Sequence, residues 1–109
     1  MTNQREILLV PFPFSDQSGK KVRPVLVLSN DEYNKGQDLI VCAITSNLKA
    51  GKYSIIIEGK DLETGRLYER SAIKVDGLLK ISKSLIIKSI GVLSKSAFQK
   101  ISNILKEIF

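Results

Sequence analysis

Three short groups in this 109-residue chain carry side chains able to act on a phosphate. The first is Lys20-Lys21-Val22-Arg23-Pro24, a basic run ending in an Arg-Pro pair. Pro24 fixes its own φ and pushes Arg23 toward extended geometry, so a guanidinium stands where a polar loop meets a rigid apolar segment. A cation held at such a junction is both fixed and accessible, which suits anion binding. The second group is Thr45-Ser46-Asn47, two hydroxyls and an amide closing an apolar run. They either satisfy nearby backbone groups in a turn or donate to an anion at the strand end. The third is Lys74-Val75-Asp76, a base and an acid two residues apart. On a strand they share a face and can reach one substrate, or they coat a solvated surface.

The remaining chemistry is narrowed by what is missing. The chain has no histidine and one cysteine, Cys42, which removes the commonest acid–base group and metal ligand and makes a zinc site improbable. No phosphate-binding glycine fingerprint or nucleophile elbow occurs, and neither a metal nor a cofactor is expected. Acid–base or electrostatic work falls to Arg, Lys, Asp, Glu, Ser, Thr or Tyr. The formal net charge of +6 suits a polyanion or an acidic protein partner. No signal peptide or long apolar span is present, so the expectation is a cytoplasmic protein with no membrane association.

The elements that must position these groups read as strands. Ile7 to Val10 is a first strand, closed by Pro11-Phe12-Pro13-Phe14, where two alternate prolines forbid central pairing and turn the chain outward. Phe12 and Phe14 plug the core beneath that turn, or one of them stacks a nucleotide base. Ser15 to Lys21 form a polar loop. Val25 to Leu28 and Leu39 to Ile44 are apolar at every position, as strands buried on both faces are. Cys42 is read as a small buried hydrophobe. Tyr53 to Glu58 is a fourth strand, Asp61 to Glu69 a polar stretch turning at Gly65, and Ser71 to Gly77 a fifth strand. Leu78 to Ile81 and Leu85 to Ile90 supply short later strands.

One helix is expected at the C-terminus. Ser94 is its N-cap, Leu93 staples onto Phe98, and Phe98, Ile101, Ile104, Leu105 and Ile108 form its apolar stripe. The stripe packs on the sheet, with part of it available to a second subunit. Short strands, frequent turns and one closing helix give a mainly β fold, a small antiparallel barrel with a C-terminal α-helix, as a single domain over residues 1–109.

Taken together, Ile7 to Asp16, Lys21 to Val27 and Val41 to Ser46 resemble the MazF/PemK family, toxins of type II toxin–antitoxin modules. The resemblance runs on through Ile73 to Leu85 and the Leu93-Ser94 helix start. It implies an SH3-like barrel, a homodimer, and metal-independent, sequence-specific cleavage of single-stranded RNA, with a cognate acidic antitoxin as partner. It assigns Arg23 and Thr45 to the core of the active site, Ser46 to RNA contact, and Lys74 and Asp76 to the acid and base. Lys20, Lys21, Phe14 and Asn47 complete the expected RNA-binding set. The chain departs from the family pattern in carrying Lys74 for arginine, Arg5-Glu6 for Gly-Asp, and no first-loop histidine. Two other functions fit the same fold: poisoning of DNA gyrase by protein binding, as in the related CcdB family, and a non-catalytic SH3-like binding module.

Overall fold

The computed structural model describes residues 2–13 and 20–109. Phe14 lies outside the described residues, as do the side chains of Phe12, Lys20 and Lys21.

Among the described residues seven strands form one antiparallel sheet: β1 (Glu6–Pro13), β2 (Lys20–Val27), β3 (Asp38–Thr45), β4 (Ser54–Ile57), β5 (Leu62–Gly65), β6 (Ser71–Ser82) and β7 (Lys88–Leu93). Their spatial order is β4-β6-β3-β2-β1-β7-β5. The sheet curls into a half-barrel, and one helix, α1 (Lys95–Ile108), follows β7.

Both faces of the central strands are covered, which explains their unbroken apolar sequences. Ile7, Leu26, Cys42, Ile44, Ile73 and Val75 pack on one face with Ala97 and Ile101 of the helix. Leu8, Val10, Val25, Val27, Leu39, Val41 and Ile81 form a second cluster on the other. The helix is held as its sequence predicts. The Ser94 side chain accepts a hydrogen bond from the Ala97 N–H at 3.2 Å, and Phe98, Ile104, Leu105 and Ile108 pack against the core.

Four expectations need correction. The chain does not turn outward at Pro11 and Pro13; β1 continues through both, paired with Val22 and Lys20. On its other side β1 has β7 as partner only from Glu6 to Leu9. Alternate residues of an antiparallel strand point their N–H groups the same way, so both prolines can turn their missing donor toward the unpartnered side. The stretch expected to be merely polar holds strand β5, paired with β7 from Leu62 to Gly65. Its alternation is too short to register as a period. Residues 71–82, expected as two strands, are one strand interrupted by a bulge. Finally, the 85–90 segment begins as a short 3-10 turn over Lys83–Leu85, and β7 starts only at Lys88.

The connection from β2 to β3 is tied by polar groups rather than packing. Asn34, fully buried, donates from its amide to the Ser29 carbonyl at 2.9 Å. The Ser29 hydroxyl donates to the Asn34 side-chain oxygen at 2.5 Å and accepts the Ile40 N–H at 3.0 Å. Lys83 donates to the Asn34 carbonyl. The buried Asn34 side chain thus has partners for both its oxygen and its amide.

Candidate active site

Strand register decides which of the sequence candidates meet. Between β2 and β3 the pairs are Val27–Val41, Leu26–Cys42 and Val25–Ala43. Pairing stops there, one residue short of Pro24, which has no N–H to extend the ladder. Continued by two residues, the same register would set Arg23 opposite Thr45, but the two strands have already parted there. Arg23 also lies directly across from Val10 of β1. By alternation Arg23 shares a face with Val25 and Val27, and Thr45 with Ala43 and Val41.

Strand β6 brings the third group to that face. Thr45 pairs with Ala72 and Ala43 with Lys74, so Lys74 sits one strand beyond Ala43 on the side that carries Thr45. Lys74 also faces Ser54 of β4. Beyond Lys74 the register jumps, because Cys42 pairs next with Leu78. Val75, Asp76 and Gly77 therefore bulge from the β3 ladder, with the Val75 N–H bonded to the Tyr53 carbonyl at 2.9 Å. Val75 stays buried while Asp76 is exposed and Lys74 half-buried. Neither Lys74 nor Asp76 belongs to an ion pair among the described residues. Bulges commonly re-aim side chains in this way.

Thr45 and Asn47 first serve the turn that follows β3. The Thr45 hydroxyl accepts the Asn47 N–H at 3.1 Å, and the Asn47 side-chain oxygen accepts the Lys49 N–H at 3.0 Å. This is the local role that hydroxyl and amide residues fill at strand ends. The Thr45 hydroxyl keeps its own hydrogen available to donate outward. Cys42, beneath this site, is no nucleophile. Burial, with the Asp76 carboxylate as a lesser cause, pushes its thiol up to about 12.

Where β2 and β3 part, a hollow of about 430 Å³ opens, lined by Val22, Arg23, Pro24, Ile44, Ser46, Glu69 and Ser71. Two of the sequence candidates, Arg23 and Ser46, border it; Thr45, Lys74, Asp76 and Asn47 do not. The sequence reading missed Glu69 and Ser71. Glu69 sits in a charged stretch without periodicity, and Ser71 reads as the polar first residue of a strand. Only the curl of the sheet brings them to the β2 end.

A family model of the PemK-like, MazF-like toxins of type II toxin–antitoxin systems matches residues 3–109. The chain belongs to this family. No curated protein matches the chain. Solved MazF-like structures share the fold. A MazE–MazF complex from Deinococcus radiodurans is 17% identical with a TM-score of 0.78, the match covering 98% of this chain and 94% of that one. A mycobacterial endoribonuclease in complex with its cognate antitoxin is 16% identical with a TM-score of 0.76, over 98% and 93% of the two chains. The Mycobacterium tuberculosis toxin MazF-mt6 is 19% identical with a TM-score of 0.74, over 94% of each. This chain thus has the MazF-like fold, and among the described residues no helix is long and apolar enough to cross a membrane.

Proposed function

We propose that this MazF-like chain is a growth-inhibiting endoribonuclease that cleaves single-stranded RNA at specific sequences without a metal. It acts in the cytoplasm as a homodimer and is held inactive by a cognate acidic antitoxin. The observation that carries the reading is the common face of Arg23, Thr45 and Lys74 at the end where β2 and β3 part, with Asp76 on the adjoining bulge. A protein-binding surface has no need of such a set.

The chemistry uses the substrate's own nucleophile. Asp76 takes the proton of the ribose 2′-hydroxyl, and that oxygen attacks the adjacent phosphorus. Arg23 and the Thr45 hydroxyl bind the phosphate oxygens as charge builds on the pentacovalent centre. The bond to the 5′-oxygen breaks, and Lys74 neutralises the leaving oxygen or gives it a proton. The products are a 2′,3′-cyclic phosphate and a 5′-hydroxyl end. Ser46 and Asn47 contact the flanking RNA, and Lys20 and Lys21 draw the strand in electrostatically.

The test is to incubate the purified chain with a mixed RNA pool and map new 5′-hydroxyl ends. Cleavage at a shared short sequence, abolished by 2′-deoxy substitution at the scissile nucleotide, is the expected result. Continued cutting of the deoxy substrate rejects the mechanism, and absence of any cutting rejects the activity.

A further inference from the structure

The hollow beside the proposed phosphate site has the composition of a base-reading subsite. Its walls divide by chemistry. Val22, Pro24 and Ile44 supply apolar surface, and Val22 is 53% exposed at the edge. Ser46, Glu69, Ser71 and Arg23 supply the polar groups. At about 430 Å³ it falls within the range of roughly 300–1,000 Å³ usual for small-ligand sites. Val22, Pro24, Ile44, Ser46 and Ser71 belong by alternation to the helix-facing side of the sheet, the side of Ile44 and Ile73. The proposed phosphate residues occupy the other side. Arg23 borders both, at the gap where the β2–β3 ladder has ended. A nucleotide with its phosphate on Arg23 and Thr45 can therefore drop its base through that gap.

We infer that this hollow takes a guanine base next to the scissile phosphate, with the Glu69 carboxylate accepting from its Watson–Crick edge. A carboxylate only accepts, and guanine alone among the RNA bases offers two adjacent donors there, N1–H and the N2 amino group. Adenine and cytosine present one amino group beside an acceptor nitrogen, and uracil one N–H between two carbonyls. Glu69 belongs to no ion pair among the described residues. Ser71 is held by a bond from its hydroxyl to the Glu69 carbonyl at 3.2 Å, which ties the floor of the hollow to the backbone that carries the carboxylate. Single-stranded RNA exposes the base edges that such a site reads.

The inference rests on the ribonuclease reading for its biological meaning, but its test does not. The full-length chain is titrated with guanosine, inosine, adenosine and cytidine 3′-monophosphates, following the amide signals of Ser46 and Ser71 by NMR. Inosine lacks only the N2 amino group. Guanosine 3′-monophosphate is expected to bind about 5- to 150-fold more tightly than the inosine compound, the range of one good bidentate base contact. Glu69→Gln, an isosteric change at an exposed residue, is expected to erase that difference. Equal binding of the guanine and hypoxanthine nucleotides, a guanine preference that survives Glu69→Gln, or shifts centred away from the hollow would each overturn the assignment. RNA oligonucleotides with inosine for guanine beside the cut then separate the two readings. Guanine binding without RNA cleavage defeats the ribonuclease and keeps the subsite. Cleavage indifferent to both inosine and Glu69→Gln defeats the subsite and keeps the ribonuclease.

Discussion

Two arginines of this chain stand in contrasting surroundings. Arg5 closes a seam at the β1–β7–β5 edge. Its guanidinium donates to the Leu93 carbonyl at 2.7 Å and pairs with Glu63 at 3.2 Å, while its backbone bonds Val27 and Leu93. Its side chain is only 20% exposed. Arg23 stands at the other end, where the β2–β3 ladder has stopped and a hollow opens. Arg5 is tied by its own bonds to the end of β7 and to β5, whereas Arg23 borders a hollow at the point where the β2–β3 ladder stops. At Arg5 the strand ends are also tied together by the backbone bonds to Val27 and Leu93.

That contrast predicts different leading effects in the two regions. The largest effect is expected from Arg23→Ala, with RNA cleavage falling by about 10²–10³-fold, the cost of removing one oxyanion donor, in a chain that still melts cooperatively. Single-turnover cleavage and a melting curve on one preparation check it. Unchanged cleavage removes Arg23 from the site.

At the closed seam the reverse is expected. Gly65 has φ +88°, and a Cβ there would lie 2.2 Å from the Ile90 carbonyl oxygen and 2.3 Å from the Gly91 Cα. Gly65→Ala combines left-handed backbone strain with overpacking and is expected to cost about 2–4 kcal/mol, read by denaturant unfolding. A loss under about 0.5 kcal/mol, the size of an ordinary surface change, would show that β5 is not packed this closely on β7.

Arg5 itself gives a sharper test of the seam. It holds φ +80°, a conformation that costs a non-glycine residue roughly 1–2 kcal/mol. Its two side-chain bonds offset that cost. Arg5→Ala keeps the strain and loses the bonds, whereas Arg5→Gly loses both. The glycine variant is therefore expected to be more stable than the alanine variant by about 1 kcal/mol. The opposite order would show that the positive-φ backbone at residue 5 carries no strain that glycine relieves. Ser94→Ala, removing the helix cap, is expected to cost about 1 kcal/mol with cleavage unaffected.

The last effect appears only at alkaline pH and belongs to the core between the two regions. The Cys42 thiol is raised from 9.0 to about 12 in the folded chain. The unfolded chain therefore releases that proton first, and the contribution of the neutral thiol is present below pH 9 and lost between pH 9 and about 12. Cys42→Ala should weaken the alkaline fall in stability relative to the parent chain. Identical alkaline limbs in both would exclude the buried thiol as a cause.

Much of this architecture was legible because local rules and tertiary packing agree. Val25 to Leu28 and Leu39 to Ile44 are apolar at every position because both faces of the sheet are covered. The Ser94 cap and the Phe98 stripe mark a helix by i, i+3 and i+4 contacts within a few residues. Residue types narrowed the chemistry open to the chain, since histidine is absent. It took the family resemblance to select Arg23, Thr45, Lys74 and Asp76 from ordinary strand-end and surface residues.

Long-range registration decided the rest. Whether Pro11 and Pro13 end a strand depends on which side of β1 has a neighbour, and that neighbour, β7, lies some eighty residues on. The bulge at Val75 to Gly77 exists only because β3 pairs with both halves of β6 in different registers. Glu69 and Ser71 reach the Arg23 hollow through the curl of the sheet. Composition and periodicity are properties of neighbours along the chain, whereas a site is made by strands that meet across it.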